Sequence, residues 1–165
     1  DVPSNYTTFY NNYSKTEQVS DKKIKFNNKV LHQSKLVNYF NGDYAKSQIE
    51  QDLEKFLKKI KKDKKYFLSK KDIIFLEALK SDGIQVSKKY DNLYEYKTDV
   101  PIEINSLIVN GETGLVLLKI AQIIGEDELK DIDIESVSFI VAILNELNTI
   151  NLRNEILLKV LPLKV

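Results

Sequence analysis

His32 is the one histidine of the chain, so any imidazole-based hydrolysis has to pass through it. A Ser–His–Asp set needs a serine on one ring nitrogen and a carboxylate on the other. His32 sits in the run VLHQS, inside a segment whose apolar spacing is helical, and no Gly-rich nucleophile turn occurs anywhere in the chain. The reading is therefore a packed or half-packed imidazole, with no catalytic residue assigned. With no cysteine and one histidine, a zinc site lacks its nitrogen and sulfur ligands.

The acids Glu126, Asp127, Glu128, Asp131, Asp133 and Glu135 invite a calcium reading, but the spacing fails. In a loop begun at Asp131 the obligatory glycine falls on Ser136 and the closing glutamate on Ala142. Asp133 is better explained as the N-cap of the helix that follows, with Glu135 at its positive end. Gly111-Glu112-Thr113-Gly114 lacks the Gly-Lys-Ser/Thr ending of a phosphate-cradling loop. No metal and no cofactor is expected. Two carboxylates facing each other across a cleft, one with a raised pKa, would suffice for glycosidase-type chemistry, and sequence alone does not reveal such a pair.

The richest cluster is basic. Lys55, Lys58, Lys59, Lys61, Lys62, Lys64, Lys65, Lys70 and Lys71 lie within seventeen positions that hold one acid at the centre, Asp63, with Tyr66 and Phe67 interleaved. Lys55, Lys58, Lys59 and Lys62 share a helix face suited to phosphates or an anionic lipid surface. The lysines from Lys55 to Lys65 are thus the candidate anion-binding residues. The run contains no arginine, so the bidentate fork that reads bases and phosphates is missing. A solvated face opposite an apolar one also requires such charges, and Glu54 can pair with Lys58 one turn on.

These groups have to be carried by helices. Ile49, Leu53, Phe56, Leu57 and Ile60 follow i, i+4, i+7, i+8, i+11, which predicts an amphipathic helix over 44–62 with Asp43 as its cap. A helix over 29–40 is expected before it, ended by Asn41-Gly42. Ser69 and Asp72 have the spacing of an acidic capping box and start a helix over 70–80, ended by Ser81-Asp82-Gly83. In 84–97 the pairs Ile84/Val86 and Tyr94/Tyr96 alternate about Asp91-Asn92, as a small β-hairpin or a tyrosine-bearing loop. Asp99 and Pro101 open the next helix, which closes at Asn110-Gly111.

Beyond Gly111 come three strongly apolar segments. In 134–148 the apolar residues cover roughly 220° of the helical circumference, well beyond the stripe of a surface helix. This helix must be covered on two sides. The last segment is apolar around most of its girth and stops at Pro162, so it is either the central helix or one covered by another chain. Leu152, Ile156, Leu157, Val160 and Leu161 are the candidate partner-docking residues. LLKIAQI (117–123) and LLKVLPL (157–163) echo each other at an offset of 40, a period of paired-helix repeat arrays.

The fold class that follows is all-α, with helical hairpins in a bundle or short solenoid-like array. The organisation expected is an irregular arm over 1–27, a basic helical region over 28–98 and an apolar, acidic helical region over 99–165 forming one unit with it. Residues 1–100 hold 20 lysines against 14 acids, and residues 101–165 hold 5 cations against 10 acids, so the two parts differ in sign. The arm carries two glycosylation sequons, at Asn5 and Asn12. The chain begins at Asp1 and has no methionine, which suggests a processed or excised piece of a longer protein. No apolar run approaches the roughly 18 residues of a membrane span. Long amphipathic helices without a catalytic set lead to a non-enzymatic interaction or scaffold module, recognising a protein partner or itself. The alternative is an electrostatic binder of nucleic acid or an anionic membrane through the Lys55–Lys71 run.

Overall fold

A computed structural model describes residues 24–63, 65–93 and 98–162, and the protein is all-α. Among the described residues there are six α-helices: α1 (Lys46–Lys62), α2 (Lys70–Ser81), α3 (Ile102–Val109), α4 (Thr113–Ile124), α5 (Ile134–Glu146) and α6 (Ile150–Val160). Three 3₁₀ segments complete them, Leu31–Gln33, Lys35–Asn41 and Lys88–Leu93. No described helix is long and apolar enough to cross a membrane. The sequon-bearing arm lies outside the described residues up to position 23, as does Lys64.

The segment expected as a helix over 29–40 is two 3₁₀ turns instead. Ser34 breaks it in an extended conformation, where its hydroxyl accepts from the Leu36 N–H and donates to the Leu31 carbonyl at 2.7 Å. This local side-chain bonding competes with the helical ladder. The Leu31 N–H is taken by the Tyr66 hydroxyl at 3.0 Å, a partner 35 residues away. Asp43 does not cap α1, which starts at Lys46 behind Ala45 without a side-chain cap. Asp99 likewise caps nothing; α3 follows directly on Pro101. The alternating residues of 84–93 form an extended stretch and a 3₁₀ turn rather than the first arm of a hairpin, and 94–97 lie outside the described residues.

Two expected caps are present. Ser69 and Asp72 form a full capping box on α2, and the Asp133 side chain accepts from the Ser136 N–H at the start of α5. Asn148, with φ of 55°, makes the left-handed turn that folds α6 back onto α5.

A closed circuit of contacts encloses the core. α2 packs on α5, α5 on α6, α6 on Lys35–Asn41, and Leu31–Gln33 returns to α2. Leu31, Val37, Phe75, Leu76, Ile140, Leu144 and Leu157 fill it, all essentially inaccessible, and the Phe40 ring meets that of Phe75 edge-on at 5.4 Å. α1 covers the Lys35–Asn41 side and carries Lys88–Leu93 on its flank. The hairpin of α3 and α4 stands apart: its principal contacts are between its own two helices.

Candidate functional site

The candidate residues are spread over several places, some inside the molecule and some on its surface. The first is the His32 cluster. The 3₁₀ turn at Leu31–Gln33 sets the imidazole against the N-terminus of α2, where Asp72 Oδ1 lies 2.7 Å from His32 Nδ1 and accepts from the His32 backbone N–H at 2.9 Å. The other oxygen, Oδ2, accepts from the Ser69 N–H at 2.9 Å, the Ser69 hydroxyl at 3.0 Å and the Tyr66 hydroxyl at 3.2 Å. Burial works to raise the Asp72 carboxyl, but bonds from the His32 ring and from the Ser69 and His32 amides outweigh it and hold the pKa below the ordinary range. Burial, with the Asp72 charge behind it, pushes the Tyr66 phenol up to about 12.

A serine, a histidine and an aspartate thus meet, but wired for structure. Ser69 Oγ and Asp72 both approach Nδ1, the serine at 3.4 Å, while Nε2 faces the Gln33 amide at 3.3 Å. A nucleophilic serine must lie on the nitrogen opposite the carboxylate. A carboxylate only accepts, so Nδ1 carries the proton and Nε2 accepts from Gln33. The cluster staples the N-terminal 3₁₀ turns to α2.

The second internal network centres on Arg153 of α6, the one arginine of the chain. It is 1% exposed. Its Nη2 bonds Asp82 Oδ2 at 2.7 Å and Asn154 Oδ1 at 2.8 Å, its Nη1 bonds Asn145 Oδ1 at 3.0 Å, and its plane stands 6.0 Å from the centre of the Phe40 ring. It ties α6 to the C-terminal end of α2, where a cation offsets the helix dipole. The Tyr39 phenol beside this pair is pushed up to about 12 by burial and by the Asp82 carboxylate. The one signal in the sequence was compositional, the single arginine of a lysine-rich chain, and its planar fork serves three partners at once, Asp82, Asn145 and Asn154.

The expected docking residues of the last helix are also inside. Ile156, Leu157, Val160 and Leu161 are buried by α2, α5 and the 3₁₀ turns of the chain itself, and Leu152 alone of the five remains exposed. The girth-wide apolar pattern is that of a central helix. The acids of 126–135 are dispersed: Glu128 pairs with Lys130 at 2.7 Å and Asp133 caps α5. Among the described residues no group of three or more metal-ligating side chains gathers. Glu54, Asp72 and Asp133 are held below the ordinary carboxylate range, Glu54 by Lys89, Asp72, despite its burial, by the His32 ring and the Ser69 and His32 amides, and Asp133 by Ser136.

The basic run divides. Lys55 pairs with Asp52 at 3.0 Å, Lys70 with Glu135, and Lys71 donates to the Val160 carbonyl at 3.1 Å, so the last two fasten α2 to the C-terminal helices. Lys59 and Lys65 are exposed and are not part of the basin's lining. Lys55, Lys58, Lys61 and Lys62 line an open basin of about 530 Å³ between α1 and Lys88–Leu93, together with Lys89. Tyr90 forms its floor, 1% exposed, with the Lys89 and Lys61 ammonium groups 4.8 and 5.6 Å from its ring centre. Glu54 holds the wall, pairing with Lys89 and accepting from the Tyr90 hydroxyl at 3.2 Å. Lys61 donates to the Lys89 carbonyl at 2.8 Å.

The last place is the α3–α4 hairpin. Across both helices only Ile104, Val116 and Ile120 are buried, whereas Ile102 is 81%, Val109 85%, Leu115 48% and Leu118 55% exposed. Ile102 and Val109, seven apart, form one outward stripe on α3, and Leu115 and Leu118 form another on α4. Glu103 on α3, Glu112 between the two helices and Glu126, Asp127 and Glu128 after α4 are exposed as well, Glu128 paired with Lys130.

Fold and surface together define a small all-α protein with a closed core, one basic basin and one apolar hairpin with an acidic excess. Compared with known proteins, the chain matches no family model, no curated protein and no solved structure.

Proposed function

We propose that the protein is a non-enzymatic helical interaction module whose docking surface is the α3–α4 hairpin, and that its occupant is a basic amphipathic helix of a protein partner. The observation that carries this reading is the exposure of Ile102, Val109, Leu115 and Leu118 on a hairpin of which three side chains are buried. Apolar side chains left in water at this density are the mark of a surface completed by association. The acidic excess selects the sign of the partner: between 101 and 130 the chain holds five acids and two cations, Lys119 and Lys130, the second paired with Glu128. An apolar stripe flanked by lysines or arginines meets both features, in the helix-in-groove manner.

The test is titration of the full chain with a Leu/Lys amphipathic model peptide and with its Leu/Glu counterpart. The expected result is preference for the basic peptide, reduced at least about tenfold in the Leu115→Glu/Leu118→Glu variant, a loss of roughly 1.4 kcal/mol or more. Equal binding of both peptides, or binding untouched by the double substitution, contradicts the proposal. A concentration-dependent dimer abolished by the same substitutions would replace the foreign helix by a second copy.

A further inference from the structure

The basin between α1 and Lys88–Leu93 plays no part in the docking just described, and it is not needed to close the core. Five lysines and one carboxylate line it, so cations outnumber anions five to one in a single concavity. Lys58 and Lys62 stand one turn apart on the outward face of α1, about 6 Å between their Cβ atoms. Among the described residues neither has an ion-pair partner within 4 Å. Lys61 spends one of its three donors on the Lys89 carbonyl, which leaves two N–H groups on an ammonium fixed in place. Lys89 is oriented by Glu54 and by the ring beneath it. Two cations are therefore preset and two are adaptable, around a rigid aromatic floor.

We infer that this basin is a binding site for a compact anion bearing two or more linked phosphate groups. Lysines act as point charges, so the site selects for charge density rather than for the planar geometry an arginine fork would read. A long polymer is disfavoured because the basic run is not a continuous track. Lys70 and Lys71 are tied to Glu135 and the Val160 carbonyl, and Lys55 at the basin's edge is paired with Asp52. A flat bilayer is disfavoured because the cations converge inside a concavity. The shared chemistry, linked phosphates, can arrive as a soluble polyphosphate or as a multiply phosphorylated lipid headgroup protruding into the basin.

The experiment is calorimetric titration of the full chain with inorganic tripolyphosphate and with orthophosphate at matched ionic strength. It is repeated for Lys58→Gln/Lys62→Gln and for a control pair of equal charge change, Lys59→Gln/Lys65→Gln. Saturable binding of tripolyphosphate is expected, at least about tenfold tighter than orthophosphate. The basin pair should lose about tenfold or more and the control pair less than about threefold, since both sit in the same overall field. Glu54→Gln, which removes the one negative charge of the lining, is expected to tighten binding. Vesicles of phosphatidylcholine with a bisphosphorylated inositol lipid separate the sources. Binding that tripolyphosphate competes away identifies a headgroup, and no vesicle binding with tripolyphosphate binding intact identifies a soluble ligand. Equal losses in the two lysine pairs, or no saturation up to about 10 mM tripolyphosphate, overturns the site. So does tighter binding of a single-stranded oligonucleotide than of tripolyphosphate, the behaviour of a diffuse track.

Discussion

The final hairpin, α5 and α6, and the preceding one, α3 and α4, are built from similarly greasy segments and meet opposite fates. In the final hairpin Val137, Ile140, Ile143, Leu144, Ile156 and Leu157 are all sealed by α2 and the N-terminal 3₁₀ turns, and the one arginine of the chain is buried with them. In α3 and α4 only three side chains are sealed. The difference comes from what the rest of the chain supplies. Asp82, Asn145 and Asn154 give Arg153 its partners, and Lys70 and Lys71 hold α2 in place over the pair. No comparable polar bracket reaches the preceding hairpin among the described residues. Apolar content gives a helix the tendency to be covered; which helix is covered from within depends on the polar groups that dock its neighbours.

Breaking the bracket is the strongest way to erase the contrast. Arg153→Met leaves the Asp82 carboxylate buried without its cation and is expected to cost about 3–5 kcal/mol, read as a shift of the denaturant midpoint. A loss below about 1 kcal/mol would mean that the pair does not secure α6. The contrast sharpens with two matched truncations. Leu157→Ala, at a fully buried position, should cost about 2–5 kcal/mol, and Leu118→Ala, 55% exposed, under about 0.5 kcal/mol. Similar costs at both sites would show that α4 is as enclosed as α6.

Smaller effects follow from the His32 cluster. Asp72→Asn keeps the shape but removes the charge-assisted bonds, at about 1–3 kcal/mol. Its pH signature has a definite sign. The folded pKa lies below the unfolded one, so the unfolded state takes up the proton first. The Asp72 contribution is complete above the unfolded value near 3.9 and is lost as pH falls through the lower folded value. Stability measured below about pH 4 should therefore decline less steeply in the variant. At the alkaline end Tyr39 and Tyr66, both pushed up to about 12, contribute stability that is present below about 10 and lost on the way to 12. Lys70→Ala, at an exposed pair, is expected to cost under about 1 kcal/mol in thermal unfolding.

Much of this was legible in the residues, and the failures share a cause. The i, i+4, i+7, i+8, i+11 series gave the inner face of α1, where Ile49, Leu53, Leu57 and Ile60 are buried. The Ser69–Asp72 spacing gave the capping box of α2, and Asp133 the cap of α5. These are local relations, settled within one or two turns of helix. What escaped depends on residues far apart in the chain. The 29–40 segment is 3₁₀ because Ser34 bonds its own backbone and because the Tyr66 hydroxyl claims the Leu31 amide. Asp72 spacing announced a cap but not that His32, forty residues earlier, would share it. Lys89 and Tyr90 could not be joined to the Lys55–Lys65 run before α1 and the 88–93 turn were seen side by side. Periodicity showed that the last helix was apolar all round and could not say whether its cover came from this chain or another.

The central claim, a sealed ring beside a hairpin that waits for its cover, is tested most directly by native-state hydrogen exchange resolved by residue, with and without the basic amphipathic peptide. The expected result is slow exchange at the global rate in α2, α5 and α6, and faster exchange in α3 and α4 that slows, in those two helices alone, when the peptide is added. Exchange in α3 and α4 as slow as in α5 and α6 without peptide, or protection that appears elsewhere on adding it, would contradict the account.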